Sequence, residues 1–193
     1  MTCEPTLKPT PSQTVGPFFH GALLDEDRSE LVPPDHPEAI RIEGTVYDGG
    51  GEPVSDAMVE IWQANHAGRY NDPSDRRQYL PVDPATFSGF GRSGTDEGGR
   101  FSFVTVKPGP VAGPDTGMQA PHIMVSVFAR GPLKRVVTRI YFPDEEGDNA
   151  NDPVLSSIVD PRFRKTLVAY DEGNALRFDI YLQGENQTAF FEL

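Results

Sequence analysis

Four histidines, six tyrosines, four methionines and a single cysteine are the side chains that could hold a metal or act as nucleophiles. Of the histidines, His122 alone falls in a strand pattern, and at spacing two its same-face neighbours are Met124, Ser126, Phe128 and Arg130. A His-x-His pair on a strand aims two imidazoles from one face, which begins a metal site. Here the second position is Met124, a soft thioether suited to Cu(I) and poorly matched to a hard ferric ion. His122 is therefore either part of a metal site or, the plainer reading, a strand histidine hydrogen-bonded to a neighbour. Tyr79, in the loop Arg76-Arg77-Gln78-Tyr79-Leu80-Pro81, is a hard oxygen donor without paired histidines nearby. Cys3 stands among prolines with no histidine close in sequence, a poor setting for a nucleophile, and as the only cysteine it excludes an internal disulfide.

A second chemistry is cationic. Arg130, Lys134, Arg135 and Arg139 fall within ten residues of a chain whose formal net charge is −12. Salt screens distant charge beyond about 8 Å, so one well-placed guanidinium can bind a carboxylate despite that balance. The same balance argues against nucleic acid, since phosphate binding uses clustered Lys and Arg, and against an anionic membrane surface. No apolar run approaches the roughly 20 residues of a membrane span. The expectation is a soluble, cytoplasmic protein.

The elements that would position these residues are β-strands. Glycine and proline contribute 19 residues each, about a fifth of the chain, which disfavours long helices. Twelve Phe and six Tyr are material for a packed core. From Ile40 the chain alternates with period two: Ile40, Ile42, Gly44 and Val46 face one way, Arg41, Glu43, Thr45 and Tyr47 the other. Ala57, Val59 and Ile61 repeat the pattern, and further strands are predicted over 100–106, 121–129, 134–142, 166–169 and 175–182. Short strands divided by Gly, Pro and Asp turns predict a mainly β single domain, a β-sandwich or barrel rather than a βαβ fold, with one or two short helices; the sandwich is the expected form. The clearest helix is 154–159, capped by Asp152-Pro153 and ended by Pro161. Residues 1–39 carry seven prolines without alternation and read as an extended N-terminal arm; 40–193 form the domain. Within the arm, Gly16-Pro17 marks a turn and Phe18-Phe19 an apolar pair that needs burial.

Five separated motifs occur in order: Pro11-Ser12-Gln13-Thr14-Val15-Gly16-Pro17-Phe18-Phe19, Val59-Glu60-Ile61-Trp62-Gln63-Ala64-Asn65, Gly89-Phe90-Gly91-Arg92, Lys107-Pro108-Gly109-Pro110 and Ala120-Pro121-His122-Ile123. Together they resemble the intradiol ring-cleavage dioxygenases over nearly the whole chain, from about Thr10 to Leu193. The resemblance implies a ferric ion held in the family's catalytic beta chains by two tyrosines and a His-x-His pair. It matches Tyr79 to the first tyrosine and His122 to the first histidine, while Val111 and Met124 replace the other two ligands. That pattern implies a non-iron-binding alpha chain, with no catalytic or metal residue of its own and Fe(III) held by a partner beta chain. The resemblance further implies that Thr14, Gly16, Pro17 and Arg130 reach toward an aromatic carboxylate substrate, cleaved with O2 at a shared site in a higher-order alpha–beta oligomer. Two other function classes remain: a self-sufficient dioxygenase, which requires four ligands, and a β-sandwich carrier or interaction module of transthyretin type.

Overall fold

A computed structural model describes residues 21–24, 26, 28–75, 87–113 and 117–192. Thr14, Gly16, Pro17, Phe18, Phe19, Cys3 and Tyr79 lie outside the described residues.

The alternating segments form two sheets. One orders β3 (Phe90–Gly94), β2 (Met58–Gln63), β7 (His122–Phe128) and β8 (Val136–Tyr141), antiparallel throughout. The other is built on β1 (Ala39–Tyr47), which pairs antiparallel with β4 (Arg100–Val106) along one edge. Its other edge takes two short parallel strands, β10 (Leu176–Arg177) and β11 (Ile180–Tyr181), with β9 (Tyr170–Asp171) beyond β10. A separate hairpin pairs β5 (Val111–Ala112) with β6 (Met118–Gln119).

The inward rows of both sheets close one core: Ile42 and Val46, Val59 and Ile61, Phe101 and Phe103, Ile123, Val125 and Val127, and Ile140. This is the expected mainly β sandwich. Each such aliphatic or aromatic side chain contributes about 1.5–3 kcal/mol by burial. Gly44 is required in the inward row because a Cβ there would lie 1.9 Å from the Phe178 carbonyl oxygen and 2.5 Å from the Phe101 ring.

The connection after β8 carries short helices α1 (Glu146–Asn151), α2 (Pro153–Ser157) and α3 (Pro161–Lys165). Asp152 caps α2 as expected, accepting from the amides of Val154 and Leu155, with Pro153 in the first turn. The predicted strand over 166–169 is instead the exit from α3, touching the sheet at one isolated bridge, Val168 to Tyr141. The predicted strand over 175–182 is broken at Phe178-Asp179. Its amide at Phe178 bonds Glu43, and Asp179 Oδ1 accepts from the Thr45 amide at 2.9 Å.

Residues 28–31 run against the body, with bridges from Arg28 to Arg92 and from Glu30 to Val104. Among the described residues no helix is long and apolar enough to cross a membrane.

Candidate functional site

Because Ile123, Val125 and Val127 turn into the core, the alternate row of β7 faces the outside of its sheet. The strand lies between β2 and β8, so register assigns each outer residue its neighbours. Met124 stands between Trp62 and Arg139, Ser126 between Glu60 and Val137, and His122 beside Tyr141.

At the His122 end these neighbours form a hydrogen-bond network. Arg139 donates from Nε to Met124 Sδ (3.2 Å) and from Nη1 to Gln119 Oε1 (2.7 Å) and Tyr141 Oη (3.1 Å). Tyr141 in turn donates to Asp152 Oδ1 at 3.2 Å, while Asp152 Oδ2 accepts from the Ala120 amide at 2.8 Å. One guanidinium thus joins β6, β7 and β8, and one carboxylate joins them to α2. Burial pushes the Tyr141 phenol up, so it stays a neutral donor.

His122 is 3% exposed. Its Nδ1 lies 2.7 Å from the Ala120 carbonyl oxygen, which can only accept, so Nδ1 carries the proton and Nε2 the lone pair. Burial first, and the Arg139 charge second, lower its pKa to about 4. This is the neighbour-bonded strand histidine that the sequence allowed.

Val111 reaches the same region through the Lys107–Pro110 loop, which lies backbone to backbone against the loop after β2. Gly68, at φ +72°, would place a Cβ 2.0 Å from the Pro110 carbonyl oxygen, and the Gly109 amide donates to Asn65 at 2.9 Å. Only glycine accommodates that approach. Val111 then pairs with Gln119, the residue that Arg139 holds.

The donor chemistry here does not suit a ferric ion. Val111 has no donor atom. Met124 offers a soft sulfur already accepting from a guanidinium, and that fixed positive charge opposes a trivalent cation. Among the described positions that the resemblance assigns to ligands, His122 alone has a suitable donor.

The other end of β7 is different in kind. Arg130, two residues past the strand, is 73% exposed and pairs through Nε with Asp56 Oδ2. From His122 to Phe128 the strand is roughly 20 Å long, and Arg130 lies two residues beyond its end. The structure does not bring the four cations of 130–139 together: Arg139 is half-buried in the network, whereas Lys134 and Arg135 are exposed in the turn before β8.

The sequence reading missed Arg139, Gln119, Tyr141 and Asp56 as parts of these two ends. Pairing β7 with β8 in antiparallel register would have set Arg139 beside Met124 and Tyr141 beside His122.

Comparison with known proteins agrees with this architecture. The dioxygenase family model matches residues 15–184. The chain is 41% identical over 202 residues to the protocatechuate 3,4-dioxygenase alpha chain of Pseudomonas putida, covering 96% of this chain and 97% of that one. It is 39% identical over 168 residues to the protocatechuate 3,4-dioxygenase beta chain of Burkholderia cepacia, covering 78% and 67%. Among solved structures, the dioxygenase domain of a carbohydrate-binding fusion protein from Streptomyces sp. SirexAA-E superposes with TM-score 0.56 at 25% identity, covering 92% of this chain and 99% of that one. With a matching family model over most of its length and a full-length relative above 40% identity, the chain belongs to the intradiol dioxygenase family.

Proposed function

We propose that this chain is the alpha subunit of a protocatechuate 3,4-dioxygenase. With a beta chain that holds Fe(III), it cleaves protocatechuate with O2 between the two hydroxyl-bearing carbons to 3-carboxy-cis,cis-muconate. The complex is a cytoplasmic alpha–beta oligomer, and this chain, organised as arm 1–39 and domain 40–193, contributes to a shared pocket. The iron supplies the oxidative chemistry when bound; this chain's residues bind and orient.

The observation that carries the reading is the separation of the two ends of β7. The ligand positions at one end lack a ferric donor set, yet an exposed guanidinium stands beyond the other end of a strand roughly 20 Å long. Arg130 is too far from His122 to touch a substrate at its own chain's ligand positions. A role for it in ring cleavage therefore requires a second chain's site. In this reading Arg130 supplies a cation for the substrate carboxylate, and Gly16 in the Thr14-Val15-Gly16-Pro17 turn allows close backbone approach.

Co-expression with a beta chain, followed by iron content and oxygen uptake with protocatechuate, tests the proposal. Arg130→Ala in the assembled complex should lower kcat/KM for protocatechuate about ten- to hundredfold with iron content intact. Catechol, which lacks the carboxylate, should lose far less. Equal loss for both substrates would overturn the carboxylate assignment, and failure of the two chains to co-purify would overturn the subunit assignment.

A further inference from the structure

Arg130 is held by a residue whose placement has no other explanation in the fold. The β2–β7 ladder pairs Met58 with Phe128. Continued by two residues, the register sets Asp56 opposite Arg130 on the outward face, and there the carboxylate meets the guanidinium.

Other aspartates in turns of this chain serve their own backbone. Asp48 Oδ1 accepts from the amides of Gly50 and Glu52, Asp96 Oδ1 from those of Gly98 and Arg100, and Asp160 Oδ1 from that of Arg162. Asp56 also lies in a turn, but its Oδ1 is buried with no hydrogen-bond partner among the described residues. A carboxylate so placed is costly to desolvate unless a cation stands beside it. The turn does not use the carboxylate, which meets the guanidinium instead.

The geometry leaves part of Arg130 uncommitted. A guanidinium offers donors at Nε and a fork formed by its two terminal nitrogens. Asp56 meets Arg130 at Nε, and the arginine side chain stays 73% exposed. That exposure leaves guanidinium surface open to a second, planar carboxylate.

We propose that Asp56 is a positioning residue for substrate recognition: by holding Arg130 in place, it presents the exposed guanidinium to the aromatic carboxylate of the substrate. The inference rests on the reading of Arg130 given above. An untethered arginine must be immobilised when ligand binds, whereas a tethered one is ordered beforehand.

The test uses the assembled alpha–beta complex carrying Asp56→Asn, Asp56→Glu, Arg130→Ala or the Asp56→Asn/Arg130→Ala pair. Iron content and melting temperature serve as controls. Dissociation constants for protocatechuate and for catechol are measured without oxygen, and kcat is measured with oxygen at saturating substrate. Asp56→Asn should weaken protocatechuate binding about two- to tenfold, leaving catechol binding and kcat unchanged. Asp56→Glu should recover most of the loss, and Asp56→Asn should add nothing in the Arg130→Ala background. If Arg130→Ala weakens protocatechuate selectively while Asp56→Asn has no effect, acts on both ligands or tightens protocatechuate, the positioning role is wrong and the Arg130 reading survives. If Arg130→Ala itself shows no preference for the carboxylate ligand, the reading fails and the inference with it.

Discussion

Arg139 and Met124 are register partners on β8 and β7, and the guanidinium Nε donates to the thioether sulfur at 3.2 Å. The position that the resemblance assigns to a second histidine is therefore occupied by a sulfur that is already a hydrogen-bond acceptor, beside a permanent positive charge. Restoring that one ligand should not restore a metal site. Met124→His in the isolated chain is expected to bind no stoichiometric Fe(III) and to show no tyrosinate-to-iron absorption band, because Val111 still offers no donor. One iron per chain with a visible charge-transfer band would contradict this.

Asp152 is fully buried and accepts from the amides of Ala120, Val154 and Leu155 and from the Tyr141 hydroxyl. Asp152→Ala removes a helix cap and strands several buried donors, for an expected loss of about 3–5 kcal/mol in denaturant unfolding. Asp152→Asn keeps one carbonyl acceptor but turns an amide toward a donor, and should lose roughly half as much.

The histidine in the β7 row makes stability depend on pH. Its pKa of about 4 in the folded protein lies below the roughly 6.5 of an unfolded chain, so between these values only the unfolded state binds the proton. Stability from the neutral buried imidazole is complete above about pH 6.5 and is lost as pH falls toward 4, up to about 3 kcal/mol. His122→Gln should flatten that part of the profile of melting temperature against pH. An unchanged slope would show that other groups carry it.

Arg92 donates from Nε and Nη2 to Glu60 Oε1 at 2.8 and 2.7 Å, and from Nη1 to the Leu23 carbonyl at 3.1 Å. It therefore ties residues 21–24 to the sheet. Arg92→Ala should cost about 2 kcal/mol and accelerate chymotrypsin cleavage at Leu23 and Leu24. Arg92→Lys, which cannot make the two-pronged contact, should fall between it and the parent chain.

The long strands were legible because one face of each packs into the core. Ile42 and Val46, or Val125 and Val127, announce period two whatever surrounds them. β3 was not legible as a strand, since Gly91 and Gly94 interrupt any hydrophobic alternation; a Cβ on Gly91 would meet Leu31 at 2.6 Å. The two-residue strands β5, β6 and β9 are too short to show a period at all, and β10 and β11 read as one strand over 175–182 because the break at Phe178-Asp179 leaves no mark in the alternation. α2 was visible through Asp152-Pro153, whereas α1 (Glu146–Asn151) buries no side chain and so leaves no apolar stripe. Of the site, Val111 and Met124 could be read as departures from the family pattern. The network of Arg139 and the tether of Arg130 depend on cross-strand register, which a linear reading of each segment does not contain.

Residues more than about 10 Å apart with no shared partners change almost independently, and the two ends of β7 satisfy that condition with room to spare. The polar network at the His122 end can therefore change without disturbing the ion pair at the Arg130 end. A single strand long enough to keep its ends out of contact lets each end vary on its own.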